Sequence, residues 1–351
     1  MFGSEGKSSL PVSISIESRG YKMLQGLFIL DDVELIYGST YEEIKKYVHI
    51  SGPPQTRKTI RENLSLLEHV DIIFSGWGGP LLDEEFLNAA PNLKAIFYGA
   101  GSIKYMITDE FWKRDIKMTS AYAANGVPVV EYALSQILFS LKRGWHYVLQ
   151  TKKEKNLITK TDVPGAYGST VGIVSLGMIG KSLCEKLQAF DVKLIAYDPY
   201  VSDEDARKLN VELCSLQEVF QRSDVVSMHT PWLKETEGLI TGEHFTSMKE
   251  NATLTFINTS RGAIVREDEM IDVLKRRPDL YAILDVTYPE PPVADSPLYE
   301  LENVILTPHI GGSMANECQR MGAYMLAELK RFLDGKELKW LVTEERSKIM
   351  A

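Results

Sequence analysis

Short β-branched and aromatic runs alternate with longer stretches of helical spacing along this chain, the pattern of a parallel sheet covered by helices. In the first third, residues 12–16, 33–37, 71–74 and 94–98 read as strands. Residues 57–69 and 83–89 space their apolar positions as helices do, and Pro53-Pro54 and Gly78-Gly79-Pro80 mark turns. Residues 129–145 read as one helix, with Ala133, Leu134, Ile137, Leu138 and Leu141 covering more than one face, which suits packing between layers or against another subunit. After a polar stretch at 152–162 a stronger alternation begins, with strands expected at 171–175, 193–197, 224–228, 253–258, 282–285 and 304–306. Such a series predicts a doubly wound nucleotide-binding domain. A last helix at 313–333 precedes a short polar tail at 335–351, which is expected to pack back on the first domain.

Composition narrows the function classes. The 351 residues suffice for two ordinary domains, and 44% apolar with 25% charged residues is average for a soluble protein. No run reaches the roughly 18 apolar residues of a membrane span, and the polar, glycine-rich start reads as a frayed tail rather than a secretory signal. A net charge of −9 argues against nucleic acid as the main partner. Cys184, Cys214 and Cys318 are too scattered for a metal pattern and read as reduced thiols; no metal is expected. A cytoplasmic protein facing small molecules is the expectation.

Candidate chemistry starts at VGIVSLGMIG (171–180), where a strand feeds a helix expected at 181–190. It nearly matches G-x-G-x-x-G, with Ser175 in place of the first glycine. Gly177 would let the backbone approach a pyrophosphate, Gly180 would let the helix lie close to the strand, and the helix N-terminus would face the phosphates. Ser175 departs from the motif: its Cβ resists a positive φ, so the turn must either avoid that conformation or carry modest strain. Asp198 ends the next strand, 18 residues beyond Gly180, where a carboxylate accepts from adenosine ribose hydroxyls. No arginine in Pro199, Tyr200 or Val201 would receive a 2′-phosphate, so NAD is expected over NADP.

Three polar groups follow later strands, at the edge where doubly wound sheets bind ligands: Arg261, Glu290 and His309. Singly, each has an ordinary structural explanation. Together they suit reduction of a 2-keto acid. A guanidinium holds the carboxylate with a two-pronged geometry, a histidine supplies the proton as hydride arrives, and a carboxylate orients the ring and favours its protonated form.

YDPY (197–200), SDVVSMHTP (223–231), NTSRG (258–262) and TPHIGG (307–312) make the chain resemble the D-isomer-specific 2-hydroxyacid dehydrogenase family from about residue 71 to 332. The resemblance implies an α/β fold of two doubly wound parallel-sheet domains. A Rossmann NAD-binding domain, 125–315, would be inserted into a flavodoxin-like substrate-binding domain made of 1–124 and 316–351. It implies that Arg261 binds substrate, Glu290 supports the histidine, and His309 is the general acid/base. Asp285 would contact the nicotinamide carboxamide, while Thr230, Pro231 and Thr259 line the cofactor; Met178, Ile179, Pro199 and Gly311 complete the expected cofactor set. Family members are typically homodimers, and the 129–145 helix would suit such an interface.

On the substrate side, the backbone of Trp77, Gly78 and Gly79 and that of Gly101 match the loops that hold the substrate carboxylate in this family. Phosphoglycerate dehydrogenases resemble the chain but commonly carry arginines in the first loop, where Phe74-Ser-Gly-Trp77 stands here, and a following regulatory domain is not expected. A non-phosphorylated 2-hydroxy or 2-keto acid is therefore the expected substrate. Trp77 either stacks on its chain or packs under its own loop. Tyr122 and Tyr132 replace a proline and a histidine common in relatives, and Glu290 argues against a formate dehydrogenase. The competing class is an NAD-sensing, corepressor-like binding protein of the same fold.

Overall fold

A computed structural model describes residues 23–160, 163–249 and 254–350. Its strands form two sheets, and every pairing within them is parallel. In the first, β1 (Gln25–Ile29), β2 (His49–Ile50), β3 (Ile72–Ser75), β4 (Ala95–Tyr98) and β5 (Lys117–Ser120) lie in the order β2-β1-β3-β4-β5, the flavodoxin-like arrangement. The second contains β6 (Thr170–Val174), β7 (Lys193–Tyr197), β8 (Val211–Leu213), β9 (Val225–Met228), β10 (Thr255–Asn258), β11 (Tyr281–Leu284) and β12 (Val304–Leu306). Their order, β12-β11-β10-β9-β6-β7-β8, is the Rossmann order with one further strand, and its switch point lies between β6 and β9.

Both faces of each sheet are buried, so the strands alternate between two apolar clusters instead of between oil and water. Ile72 and Phe74 face one cluster while Ile73 faces the other; Val226 and Met228 face one while Val225 faces the other. On the first sheet, Phe28, Phe74 and Phe97 form a ladder across adjacent strands, with centroids 4.9 and 5.7 Å apart. Such stacked pairs add about 0.5–1.5 kcal/mol beyond their area.

Several expectations are corrected. Val33–Tyr37 is a helix, not a strand: Asp32 caps it by accepting from Leu35 N at 2.8 Å, and it buries neighbours Ile36 and Tyr37 together. The strand in this region is β1. The segment 12–16 lies outside the described residues. The helix expected at 57–69 divides at Asn63 into Arg57–Glu62 and a 3₁₀ turn, Leu64–Leu67. The single helix expected at 129–145 instead starts at Tyr122, runs through Pro128 and ends at Ser140. Arg143, at φ 52°, then turns the chain into a second helix, Gly144–Glu154. The helix expected at 181–190 spans Met178–Leu187.

The chain's last segment returns to the first sheet. In Cys318–Leu333, a Cβ on Gly322 would lie 2.1 Å from the Ile36 carbonyl oxygen, so glycine lets this helix touch Val33–Tyr37. Buried Glu328 then accepts from Lys339 N and Trp340 N at 3.3 and 3.0 Å, and Val342 N donates to Met118 O at 2.8 Å. Asn125, early in the Tyr122–Ser140 helix, accepts from Ser313 N at 3.0 Å, tying the two crossings between the sheets together. Among the described residues no helix is long and apolar enough to cross a membrane.

Candidate active site

Of the two alternatives left open for Ser175, the turn after β6 takes the strained one. Ser175 sits at φ 76°, in the region that favours glycine. Its N–H donates to Tyr197 O at 2.8 Å, and its hydroxyl lies 2.9 Å from the Thr230 hydroxyl, across the sheet's switch point. Asp198 Oδ2 accepts from Leu176 N at 2.7 Å, while Oδ1 accepts from Tyr200 N and Val201 N. The aspartate expected at the ribose therefore also braces the turn. Gly177 begins the Met178–Leu187 helix without a side-chain cap, leaving the first amides to other acceptors.

The two glycines do different work. A Cβ on Gly177 would meet nothing within 4 Å, whereas one on Gly180 would lie 2.1 Å from the Ser175 carbonyl oxygen. Thr259, after β10, holds a buried hydroxyl oxygen with no hydrogen-bond partner among the described residues. Open space above Gly177, uncapped amides and this orphaned hydroxyl fit a phosphate-bearing dinucleotide. Pro231, beside Thr230, accepts through its carbonyl from the Thr236 hydroxyl at 2.6 Å.

Three turns at the carboxyl ends of β10, β11 and β12 bring the polar residues together. Gly262 permits this: a Cβ there would lie 2.0 Å from the Thr287 carbonyl carbon. Asn258 shapes the first turn by accepting from Ser260 N at 2.9 Å and donating to Arg261 O at 3.2 Å. The Arg261 guanidinium is largely buried, which lowers its proton affinity, and the Glu290 charge opposes that shift. His309 Nδ1 lies 2.7 Å from Glu290 Oε1, at a backbone φ of 54°. Asp285 fixes the histidine's loop. Its Oδ1 accepts from the Thr307 hydroxyl and Ile310 N, its Oδ2 from Gly311 N, and its carbonyl from His309 N. The Tyr132 hydroxyl lies 2.9 Å from that of Thr307 and so extends the network. A cavity of about 400 Å³ opens beside these loops, lined by Asp285, Thr287, Glu290, Tyr299, Thr307 and His309.

The first domain supplies the facing loops. Gly78 takes φ 75°, and a Cβ there would lie 2.0 Å from the Asp31 carboxylate. The N–H of Gly79 donates to Gly76 O at 3.0 Å and lies 3.3 Å from the Tyr105 hydroxyl, so this amide is turned inward, away from the expected carboxylate cradle. The N–H groups of Trp77, Gly78, Gly101 and Ser102 donate no hydrogen bond among the described residues. Trp77 is 37% exposed, and among the described residues its ring makes no aromatic contact. Two cations escaped the sequence reading because no motif marks them. Arg57 donates to Gly79 O at 2.9 Å and covers the Tyr105 ring, and Lys104 donates to Trp232 O at 2.8 Å, across the two domains.

Known proteins bear on this arrangement. D-3-phosphoglycerate dehydrogenase of Mycobacterium bovis is 32% identical over 73% of this chain, which spans only 48% of that protein's length. Glyoxylate reductase of Thermofilum pendens is 33% identical over 76% of this chain and 80% of its own. Among solved structures, D-lactate dehydrogenase from Aquifex aeolicus, complexed with NAD and lactic acid, superposes with a TM-score of 0.68 at 26% identity, covering 88% of this chain and 96% of that one. Residues 135–311 match the family model described as "D-isomer specific 2-hydroxyacid dehydrogenase, NAD binding domain". The parallel Rossmann sheet, the strand-to-helix turn and the three converging loops thus have a common explanation: the chain belongs to the D-isomer-specific 2-hydroxyacid dehydrogenase family and carries its NAD-binding domain.

Proposed function

We propose that this protein is an NAD-dependent oxidoreductase acting at C2 of a non-phosphorylated 2-hydroxy or 2-keto acid, with residues 125–315 as the cofactor domain and the flanking segments as the substrate domain. The observation that carries the proposal is the His309–Glu290 pair at 2.7 Å, formed on loops that also bring Arg261 close enough for the Glu290 charge to act on it.

Bound NADH supplies the hydride. Arg261 holds the substrate carboxylate and polarises the keto oxygen, helped by the free amides of Trp77, Gly78 and Gly101. His309 donates the proton to that oxygen through Nε2, while Glu290 fixes the ring through Nδ1. Gly177, Met178, Ile179 and Gly180 would carry the pyrophosphate, Asp198 and Pro199 the adenosine ribose, and Thr230, Pro231, Thr259, Asp285 and Gly311 the nicotinamide side. Closure of the two domains would exclude water.

The non-phosphorylated substrate is supported by the loop Phe74–Trp77, which has no cation, and by Arg57, which is engaged with Gly79 O and the Tyr105 ring. A homodimer in the cytoplasm is part of the same proposal; Phe139 and Val148, exposed on the Tyr122–Ser140 and Gly144–Glu154 helices, suit its interface. Oxidation of NADH and of NADPH, followed at 340 nm against a panel of 2-keto acids, tests the proposal. NADH-dependent turnover of non-phosphorylated acids supports it. NADH binding without turnover of any acid overturns it and favours a cofactor-sensing role.

A further inference from the structure

Tyr132 lies on the Tyr122–Ser140 helix, which carries the chain into the second domain, and its hydroxyl is 2.9 Å from that of Thr307. The direction of this bond follows from its neighbour. Thr307 has one hydroxyl hydrogen and donates it to Asp285 Oδ1 at 2.6 Å, so Tyr132 donates to Thr307. Burial holds the phenol above the ordinary tyrosine range, against the Thr307 hydrogen bond and with the Asp285 charge, so it keeps the proton this role needs. Asp285 is thereby nearly filled. Its Oδ1 also accepts from Ile310 N, and its Oδ2 from Gly311 N, each at 2.8 Å. A carboxylate has about four lone-pair sites, so one remains, on Oδ2. Gly311 leaves room here, since a Cβ would lie 2.9 Å from Asp285 Oδ2 and 3.6 Å from the Tyr132 ring. Asn125, two turns earlier on the same helical face, accepts from Ser313 N at 3.0 Å. One helix face thus holds both ends of the 307–313 segment, with His309 at φ 54° between them. A backbone in that region persists only where surrounding contacts hold it.

We propose that Tyr132 is a positioning residue for the hydride-transfer site: through Thr307 it fixes the Asp285 carboxylate, so that the remaining Oδ2 lone pair meets an amide N–H of the nicotinamide and the His309 loop keeps its shape. This rests on the cofactor placement proposed above. Among the described residues Thr307 is the one side chain that restrains this carboxylate, the other donors being backbone amides. A bond accepted by the Thr307 oxygen polarises its O–H and strengthens the bond to Asp285 in turn.

The test compares NAD with its 3-acetylpyridine analogue, which carries a methyl ketone in place of the amide and so has no N–H to give. Calorimetric titration reads both affinities without turnover. The wild-type protein is expected to bind NAD about fivefold more tightly than the analogue, the worth of one hydrogen bond. In Tyr132→Phe, which keeps the ring, that preference falls by about threefold or more, and kcat falls with little change in the KM of the keto acid. Thr307→Val does the same, and Thr307→Ser retains the preference. The double variant Tyr132→Phe/Thr307→Val is no worse than Thr307→Val alone, because the two residues act through one chain of bonds. A structural role alone would lower the melting temperature and both affinities together and leave their ratio unmoved, which overturns the proposal. So do additive losses in the double variant. If Tyr132→Phe does not fold, the two Thr307 variants decide by the same ratio. A wild-type protein that binds both dinucleotides equally overturns the proposal and with it the place given to Asp285. Turnover of no acid, with the NAD preference present and lost in Tyr132→Phe, removes the reaction class and leaves the role of Tyr132 at the cofactor standing.

Discussion

His309 Nδ1 and Glu290 Oε1 lie 2.7 Å apart, although the two residues are 19 positions apart in the chain and follow two different strands. Asp285 ties the 307–311 segment down by four hydrogen bonds, and among the described residues the imidazole Nε2 has no hydrogen-bond partner. General acid catalysis by a positioned side chain contributes about 10²–10⁴-fold. His309→Ala is therefore expected to lower kcat by that range while NADH affinity, read by fluorescence titration, changes less than about threefold. Glu290→Gln should fall between the two, because the amide keeps a hydrogen bond but loses the charge. A near-normal kcat in His309→Ala would end the proton-transfer assignment.

The two glycines of the β6 turn separate packing from ligand approach. Gly180→Ala forces a methyl group to within 2.1 Å of the Ser175 carbonyl oxygen, so the helix must move. Overpacking of this kind costs about 1–3 kcal/mol, and both the melting temperature and NADH affinity should drop. Gly177→Ala meets no protein atom within 4 Å, and Gly177 has φ −67°, which alanine adopts freely. Here the melting temperature should hold while NADH affinity falls, because the methyl group occupies the space a pyrophosphate would take. Equal NADH affinity in Gly177→Ala and wild type would move the phosphates elsewhere.

Much of this architecture follows from the pattern of the chain itself. The strands of the second sheet are buried on both faces and rich in valine and isoleucine, so their boundaries appear within about two residues. β8, only Val211–Leu213, is too short to stand out. VELIY at 33–37 looks like a strand by composition, yet Asp32 caps it and a helix wins, while QGLFI just before it supplies β1. Arg261, Glu290 and His309 were legible because each closes a strand with a distinctive turn. Lys104 and Arg57 were not, because their importance comes from facing the second domain or a loop's carbonyl. Nor does sequence tell that the Gly79 amide is used inside its own turn.

His229 predicts a pH dependence of stability. Burial pushes its imidazole down from 6.5 to about 4; Nε2 lies 2.9 Å from the Ser227 hydroxyl, and Nδ1 is buried without a hydrogen-bond partner among the described residues. The unfolded chain takes up a proton as pH falls below about 6.5, but the folded one does not until about 4. This contribution is thus fully present above 6.5 and is lost as pH falls through that window, amounting to about 3 kcal/mol. Urea unfolding of wild type and His229→Gln, compared between pH 7 and pH 4, should show the wild type losing about that much more. Parallel curves would mean that the ring is solvated.

Glu328 governs how the final segment meets the rest. Its side chain is buried, and its two oxygens accept from Lys339 N and Trp340 N at 3.3 and 3.0 Å. Trp340 in turn stacks on Tyr324 and meets Tyr122, the first residue of the helix that leads into the second domain. Glu328→Ala leaves two amides without their charged acceptor, and hydrogen bonds to charged groups contribute about 1.5–3 kcal/mol each. A loss of about 3 kcal/mol in unfolding free energy is expected, with faster proteolytic cleavage between residues 335 and 343. Glu328→Gln retains one carbonyl oxygen and should lose roughly half as much. Because Tyr122 lies at the crossing between the domains, released tails should also raise the KM for the keto acid more than that for NADH. If cleavage quickened with no change in either KM, the tail would be a packing element alone, without influence on the crossing.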